Sequence, residues 1–196
     1  MATSANGSAR QLAPLPIRAH PLVFGVVLFL SSELMFFAAL FASYYDLRAN
    51  RAQWPPAYVH LNVYEGGFGT FLLLAASVVM LFATRAMDRG RLRAARWWTG
   101  AAIVAALGFI ALSLHGYAGN GFTVGTSAYG SIYYAMTGFH LLHVLAGAGI
   151  LTALLVGMRS RALLADRRAG AEAMTYYWHF VFIVWVGIFV TIYFVR

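Results

Sequence analysis

Four side chains in this sequence carry groups that could do chemistry and stand inside long apolar runs. Glu33 lies in FLSSELMFF, His140 and His143 lie in TGFHLLHV behind Thr137, and His179 lies in YYWHF. A carboxyl at the middle of a bilayer costs about 2.5–3.5 kcal/mol on insertion scales. Glu33 therefore reads in one of two ways: a proton-active or gating carboxyl, or a neutral acid hydrogen-bonded to a neighbouring helix. Steps of three put Thr137, His140 and His143 on one helical face, which can meet a partner helix. Two histidines at that spacing can in principle share a metal, and a helix-borne histidine can ligate haem. The competing reading is interhelical hydrogen bonding, in which each imidazole gives one N–H and accepts one bond. No other strong ligand cluster surrounds them in the sequence, which favours hydrogen bonding.

Other candidates are weaker. There is no cysteine, so disulfides, thiolate metal sites and cysteine nucleophiles are excluded. GYAGNGFTVG is rich in glycine, but no lysine follows and no strand precedes it, as a phosphate loop requires. Thr70, Ser77 and Ser113 read as packing or backbone-bonded hydroxyls, and Gly147 and Gly149 as points of close helix contact.

The elements that must position these groups are membrane helices. The 196 residues are 61% hydrophobic and 10% charged, where an ordinary soluble domain is about 25% charged. Too little polar residue is present to clothe a soluble core. The apolar residues form runs of about 20, the length that crosses a hydrocarbon core about 30 Å thick at 1.5 Å per residue. The expected fold is an all-α, polytopic membrane bundle of about five spans: Leu22–Tyr45, Gly66–Ala86, Trp98–Tyr117, Tyr129–Met158 and Met174–Val195. Residues 1–21 form an N-terminal segment and residues 22–196 one membrane domain. The N-terminal segment lacks a signal-peptide pattern, so the first span is expected to stay in the mature protein.

All 14 basic residues are arginine, a bias that fits GC-rich bacterial coding. Eleven fall on one side: Arg10 and Arg18, then Arg85, Arg89, Arg91, Arg93 and Arg96, then Arg159, Arg161, Arg167 and Arg168. Only Arg48, Arg51 and Arg196 fall on the other. Positive loops face the cytoplasm, which puts the N-terminus inside and the C-terminus outside. This distribution explains the net charge of +8 without nucleic-acid binding. Trp54, Trp97, Trp98 and Tyr176–Trp178 fall near the expected interfaces, where amphipathic rings are favoured.

At the motif residues the chain resembles cytochrome c oxidase subunit III, of the haem-copper oxidase family. The similarity runs from about Leu22 to the C-terminus and rests on four ordered motifs. These are FGVVLFLSSELMFFAALFASYY, WPPAYVH, YGSIYYAMTGFHLLHVLAG and YYWHFVFIVWVGIFVTIYF. The resemblance implies a V-shaped helix arrangement around bound phospholipid, beside a catalytic subunit. Glu33 would be the family's intramembrane glutamate, associated with carbodiimide labelling. Ser32, Thr137, His140, His143, Trp178 and His179 would make interhelical polar or lipid contacts rather than bind metal. Haem and copper would lie in partner subunits I and II, with no redox centre in this chain. Implied partners are those subunits, membrane phospholipid and a cytochrome bc complex in a supercomplex. The implied setting is the bacterial plasma membrane. The implied role is to sustain proton uptake and turnover stability of subunit I in an enzyme that reduces oxygen to water.

The chain also departs from the pattern. It has five spans where longer members have seven. Phe182 replaces an aspartate that would stand one turn beyond His179, and Gly116 replaces a glutamate just before Tyr117. With both acids absent, a charged-network role would rest more heavily on Glu33. Two alternatives stand beside this reading: a subunit III relative attached to a quinol oxidase or nitric oxide reductase, and a stand-alone proton-coupled transporter using Glu33.

Overall fold

The computed structural model describes residues 21–158 and 167–195. Arg10, Arg18, Arg159, Arg161, Arg196 and the N-terminal segment before Pro21 lie outside the described residues. Five helices are each long and apolar enough to cross a membrane. They are α1 (Pro21–Ala49), α2 (Val63–Asp88), α3 (Leu92–Gly119), α4 (Ala128–Gly157) and α5 (Arg167–Phe189). A π-type turn, Val190–Phe194, ends α5.

The helix ends follow local chemistry. Pro21 opens α1, where its missing N–H costs nothing. Asn62 caps α2 by accepting from the Tyr64 N–H, and Ser127 caps α4 by accepting from the Gly130 N–H. Gly90, the one described residue with positive φ (67°), turns α2 tightly into α3. Two helices begin earlier than hydropathy suggests: α3 at Leu92 and α5 at Arg167. Their first turns, LRAARW and RRAGAEA, are rich in alanine and arginine. Those residues are strong helix formers, so the helix continues past the apolar run that marks the span.

The helices pack in a circuit, α1–α4–α3–α2–α5 and back to α1, with α4 also touching α5 across it. Glycine sets the closest approaches. A β-carbon on Gly147 of α4 would lie 2.8 Å from the Tyr177 ring and 3.2 Å from the Trp178 ring of α5. One on Gly66 of α2 would lie 2.7 Å from Phe189. Gly149 faces open space, so only Gly147 makes the close contact expected of the pair.

The core runs along the seam of α2, α3, α4 and α5, through Leu73, Met80, Phe109, Met136, Trp178 and Ile188. Helix α1 is more peripheral, and most of its side chains stay exposed. The WPP loop folds over the end of the bundle, where Trp54 packs edge-on between Tyr44 of α1 and Tyr129 of α4. Trp97 and Trp98 remain exposed, as interfacial rings would be. Trp178 does not: it is fully buried against Gly147.

Candidate functional site

Helix α4 distributes its three motif residues among three neighbours. A step of three residues turns 300°, about 60° short of a full turn, so the stripe drifts around the helix. Thr137 faces α3, where its hydroxyl accepts from Tyr117 at 2.8 Å while donating to the Tyr133 carbonyl at 2.7 Å. His140 faces α5, and its Nε2–H donates to the Val181 carbonyl at 3.0 Å. His143 faces α1, where its Nε2 lies 3.0 Å from Glu33 Oε2. The stripe therefore does not present a shared face to one partner.

The Glu33–His143 contact is constrained by the other nitrogen of the ring. His143 Nδ1 stands 2.7 Å from the Phe139 carbonyl, which can only accept, so Nδ1 carries a hydrogen. A neutral ring then has a bare Nε2, and Glu33 must be the protonated donor. If Nε2 also carries a hydrogen, Glu33 is the carboxylate. In both arrangements one proton lies between the two groups, and such a pair carries no net charge into apolar surroundings. Tyr177 of α5 steadies the turn by donating to the His143 carbonyl at 2.8 Å. Phe37 packs edge-on against the imidazole, with ring centres 5.3 Å apart. The pair sits at the edge of the bundle, with the Glu33 side chain 21% exposed and that of His143 12%.

The remaining motif residues fall elsewhere. Ser32 is exposed and donates back to the Phe29 carbonyl of its own helix at 2.7 Å. Trp178 is buried, and within the chain it packs against Gly147 of α4. The ring of His140 packs against Phe109 and Trp185, with centres 5.6 and 5.1 Å away. His179 donates from Nδ1 to the Thr175 carbonyl at 2.7 Å, one turn before it. That bond gives the ring a partner where Phe182 replaces an acid one turn after it. Each of these three histidines thus has one nitrogen on a backbone carbonyl. Among the described residues, no three His, Cys, Asp or Glu side chains gather where a metal could be held.

A second polar feature was not legible in the motifs. Inside the square of α2, α3, α4 and α5 lies a cavity of about 50 Å³ with Glu65, Ser113, Tyr117, Tyr133 and Thr137 in its wall. One water needs about 10–15 Å³ of such space, so a few waters fit and a larger solute does not. Beside it the Trp185 indole donates to the Thr70 hydroxyl at 2.9 Å. Glu65 Oε2 lies 3.7 Å from where a Gly116 β-carbon would stand. A carboxyl from the first turn of α2 thus stands beside Gly116, where the sequence itself has no acid. The only local sign of Glu65 was its place in the α2 cap, where its Oε1 accepts from Asn62 at 3.1 Å.

Comparison with known proteins adds independent findings. The family model described as cytochrome c oxidase subunit III matches residues 15–196. A cytochrome c oxidase subunit 3 of Corynebacterium diphtheriae is 36% identical over 204 residues, covering 99% of this chain and 100% of that protein. One from Thermostichus vulcanus is 34% identical over 176 residues, 87% of this chain and 86% of the relative. One from Emericella nidulans is 32% identical over 177 residues, 87% of this chain but 66% of the relative.

Proposed function

Because the chain belongs to the cytochrome c oxidase subunit III family, we propose that it supports the catalytic subunit of a bacterial respiratory oxidase from the side. It is an accessory subunit of a terminal oxidase. Under this reading the haem and copper belong to subunits I and II, and this chain takes no part in electron transfer. The observation that carries the reading is the Glu33–His143 pair. It joins a carboxyl and an imidazole from two helices at the bundle's edge, where a neighbouring subunit or lipid can approach. A proton site buried at the bundle centre would serve this chain alone.

The pair is well suited to buffer a proton near subunit I during turnover. Its shared proton can rest on either partner without leaving a net charge in the apolar layer. The arginine-rich ends of α2 and α3 face the cytoplasm in this arrangement, and the WPP loop faces outward. The exposed apolar faces meet subunit I, subunit II and membrane phospholipid. A cytochrome bc complex is a further neighbour in a supercomplex.

Two measurements test this. Purification from native membrane in mild detergent, followed by mass spectrometry, should recover the chain with a large haem-copper subunit. Recovery as a lone homo-oligomer would overturn the reading. Oxidase carrying Glu33→Ala should assemble with full haem and copper content and start at normal activity. It should then lose activity faster during sustained turnover, and immediate loss of either metal centre would contradict the supporting role.

A further inference from the structure

Glu65, Ser113 and Tyr133 come from three helices into the wall of the small polar cavity. Each brings a hydrogen-bonding group that the other described residues leave unused. Glu65 Oε1 accepts from Asn62 at 3.1 Å, but Oε2 has no partner among the described residues. The Ser113 hydroxyl has none either, although a serine inside a helix can bond back to the preceding turn. Tyr133 accepts from Asn120 at 3.4 Å, and its own hydrogen goes to no described acceptor. An acceptor, a donor and a hydroxyl that can be either thus border a space of about 50 Å³. The π-type turn that ends α5 adds Ile192 and Tyr193 to the same wall, and such turns recur at functional sites.

We propose that this cavity is a binding site for a cluster of about three to five waters, at about 10–15 Å³ each, and that Glu65 exchanges its proton through them. A buried water needs about two to four polar partners, and the wall supplies them. Apolar contents would leave all three groups unsatisfied. Water beside Oε2 can give or accept a hydrogen, so Glu65 has a partner in either protonation state.

Two hydrogen-bond chains decide where that proton can go. Tyr117 donates to the Thr137 hydroxyl at 2.8 Å, and Thr137 donates to the Tyr133 carbonyl at 2.7 Å. The Trp185 indole donates to the Thr70 hydroxyl at 2.9 Å, and Thr70 donates to the Gly66 carbonyl at 2.9 Å. Both chains end on backbone carbonyls, which accept hydrogen bonds but pass no proton onward. The buried Phe109 and Ile188 wall the cavity with apolar surface. Glu65 stands in the first turn of α2 and Tyr117 in the last turn of α3, so the cavity lies toward the end of the bundle that carries the WPP loop. Exchange therefore runs to the water at that end, and the site holds a proton without conducting it across the bundle. It differs from the Glu33–His143 pair, whose carboxyl meets an imidazole at the α1 edge. The inference rests on the wall of the cavity and not on which oxidase the chain serves.

The test uses the whole purified complex in nanodiscs. Brief X-ray pulses make hydroxyl radicals from bound water, and mass spectrometry locates the side chains they modify. Tyr133 is only 6% exposed, yet it should be modified, and Tyr117 with it. Gly116→Leu extends a side chain toward Glu65 Oε2 and should lower modification of both tyrosines severalfold. Ser113→Val, a smaller change in the same wall, should lower it likewise. The exposed Tyr64 should be modified equally in all samples. Glu65→Gln keeps an acceptor for Asn62 and identifies the infrared band of the Glu65 carboxyl by its loss. In mildly acidic buffer that band should shift within seconds of transfer to heavy water, and Gly116→Leu should slow the shift severalfold. Unmodified Tyr117 and Tyr133, modification that neither filling variant lowers, or a Glu65 band inert to heavy water would each overturn the site. Recovery of the large haem-copper subunit in the same sample reports separately on the proposed function.

Discussion

His140 and His143 stand three residues apart on α4, yet they occupy two different regions of the molecule. His140 is 1% exposed, in the packed seam between α3 and α5, and its Nε2 bond goes to a backbone carbonyl that cannot change charge. His143 lies at the loosely covered α1 edge, and its Nε2 bond goes to a carboxyl that can. Similar sequence neighbourhoods thus yield one histidine bonded to a backbone carbonyl and one bonded to a carboxyl. The 60° lost at each step of three decides which helix each one meets. The difference teaches that an intramembrane histidine is best read by its partner, whatever its depth.

The comparison breaks most readily in the seam. His140→Ala should destabilise the chain by about 2–4 kcal/mol, through a void beside Phe109 and Trp185 and an orphaned Val181 carbonyl. Thermal release of this subunit from the purified complex measures it, and a change like that of His143→Ala would erase the distinction. Gly147→Leu drives a side chain into Tyr177 and Trp178 and should cost about 1–3 kcal/mol in the same assay. The matching change at Gly149, which faces open space, should cost far less. Trp185→Phe keeps the ring but removes the indole donor to Thr70, a loss of about 1 kcal/mol.

The smallest effect belongs at the edge. A double-mutant cycle on Glu33 and His143 should give a coupling of about 0.6 kcal/mol, the average for hydrogen bonds between membrane helices. Glu33→Gln should barely alter stability, since the amide can still donate to Nε2. It should nevertheless shorten activity under sustained turnover, because an amide cannot take up or release the shared proton. If Glu33→Gln matched wild type in turnover lifetime, the pair would be a packing contact like that of His140.

Much of the fold was legible because hydrocarbon thickness dictates the length of an apolar run. Five spans were expected and five such helices are present among the described residues. The extension of α3 and α5 before their apolar spans reflects a different rule, since helix propensity rather than burial governs turns beyond the span. The buried polar residues were visible by type, but their partners were not. Glu33 and His143 are 110 residues apart, and Trp185 and Thr70 are 115 apart. Glu65 escaped notice because it stands at a helix start, where an acidic residue is ordinary.

Composition and motif order alone determined that this protein is a membrane bundle of the subunit III type. Long apolar runs with few charges have few other stable forms in a cell, and four ordered motifs seldom coincide by chance. Only the tertiary structure decided which embedded groups meet. It separated His140 from His143, put Glu65 beside Gly116 and left a small polar cavity among α2, α3, α4 and α5. Those outcomes depend on helix rotation and on glycine contacts between distant segments, and hydropathy along a chain records neither.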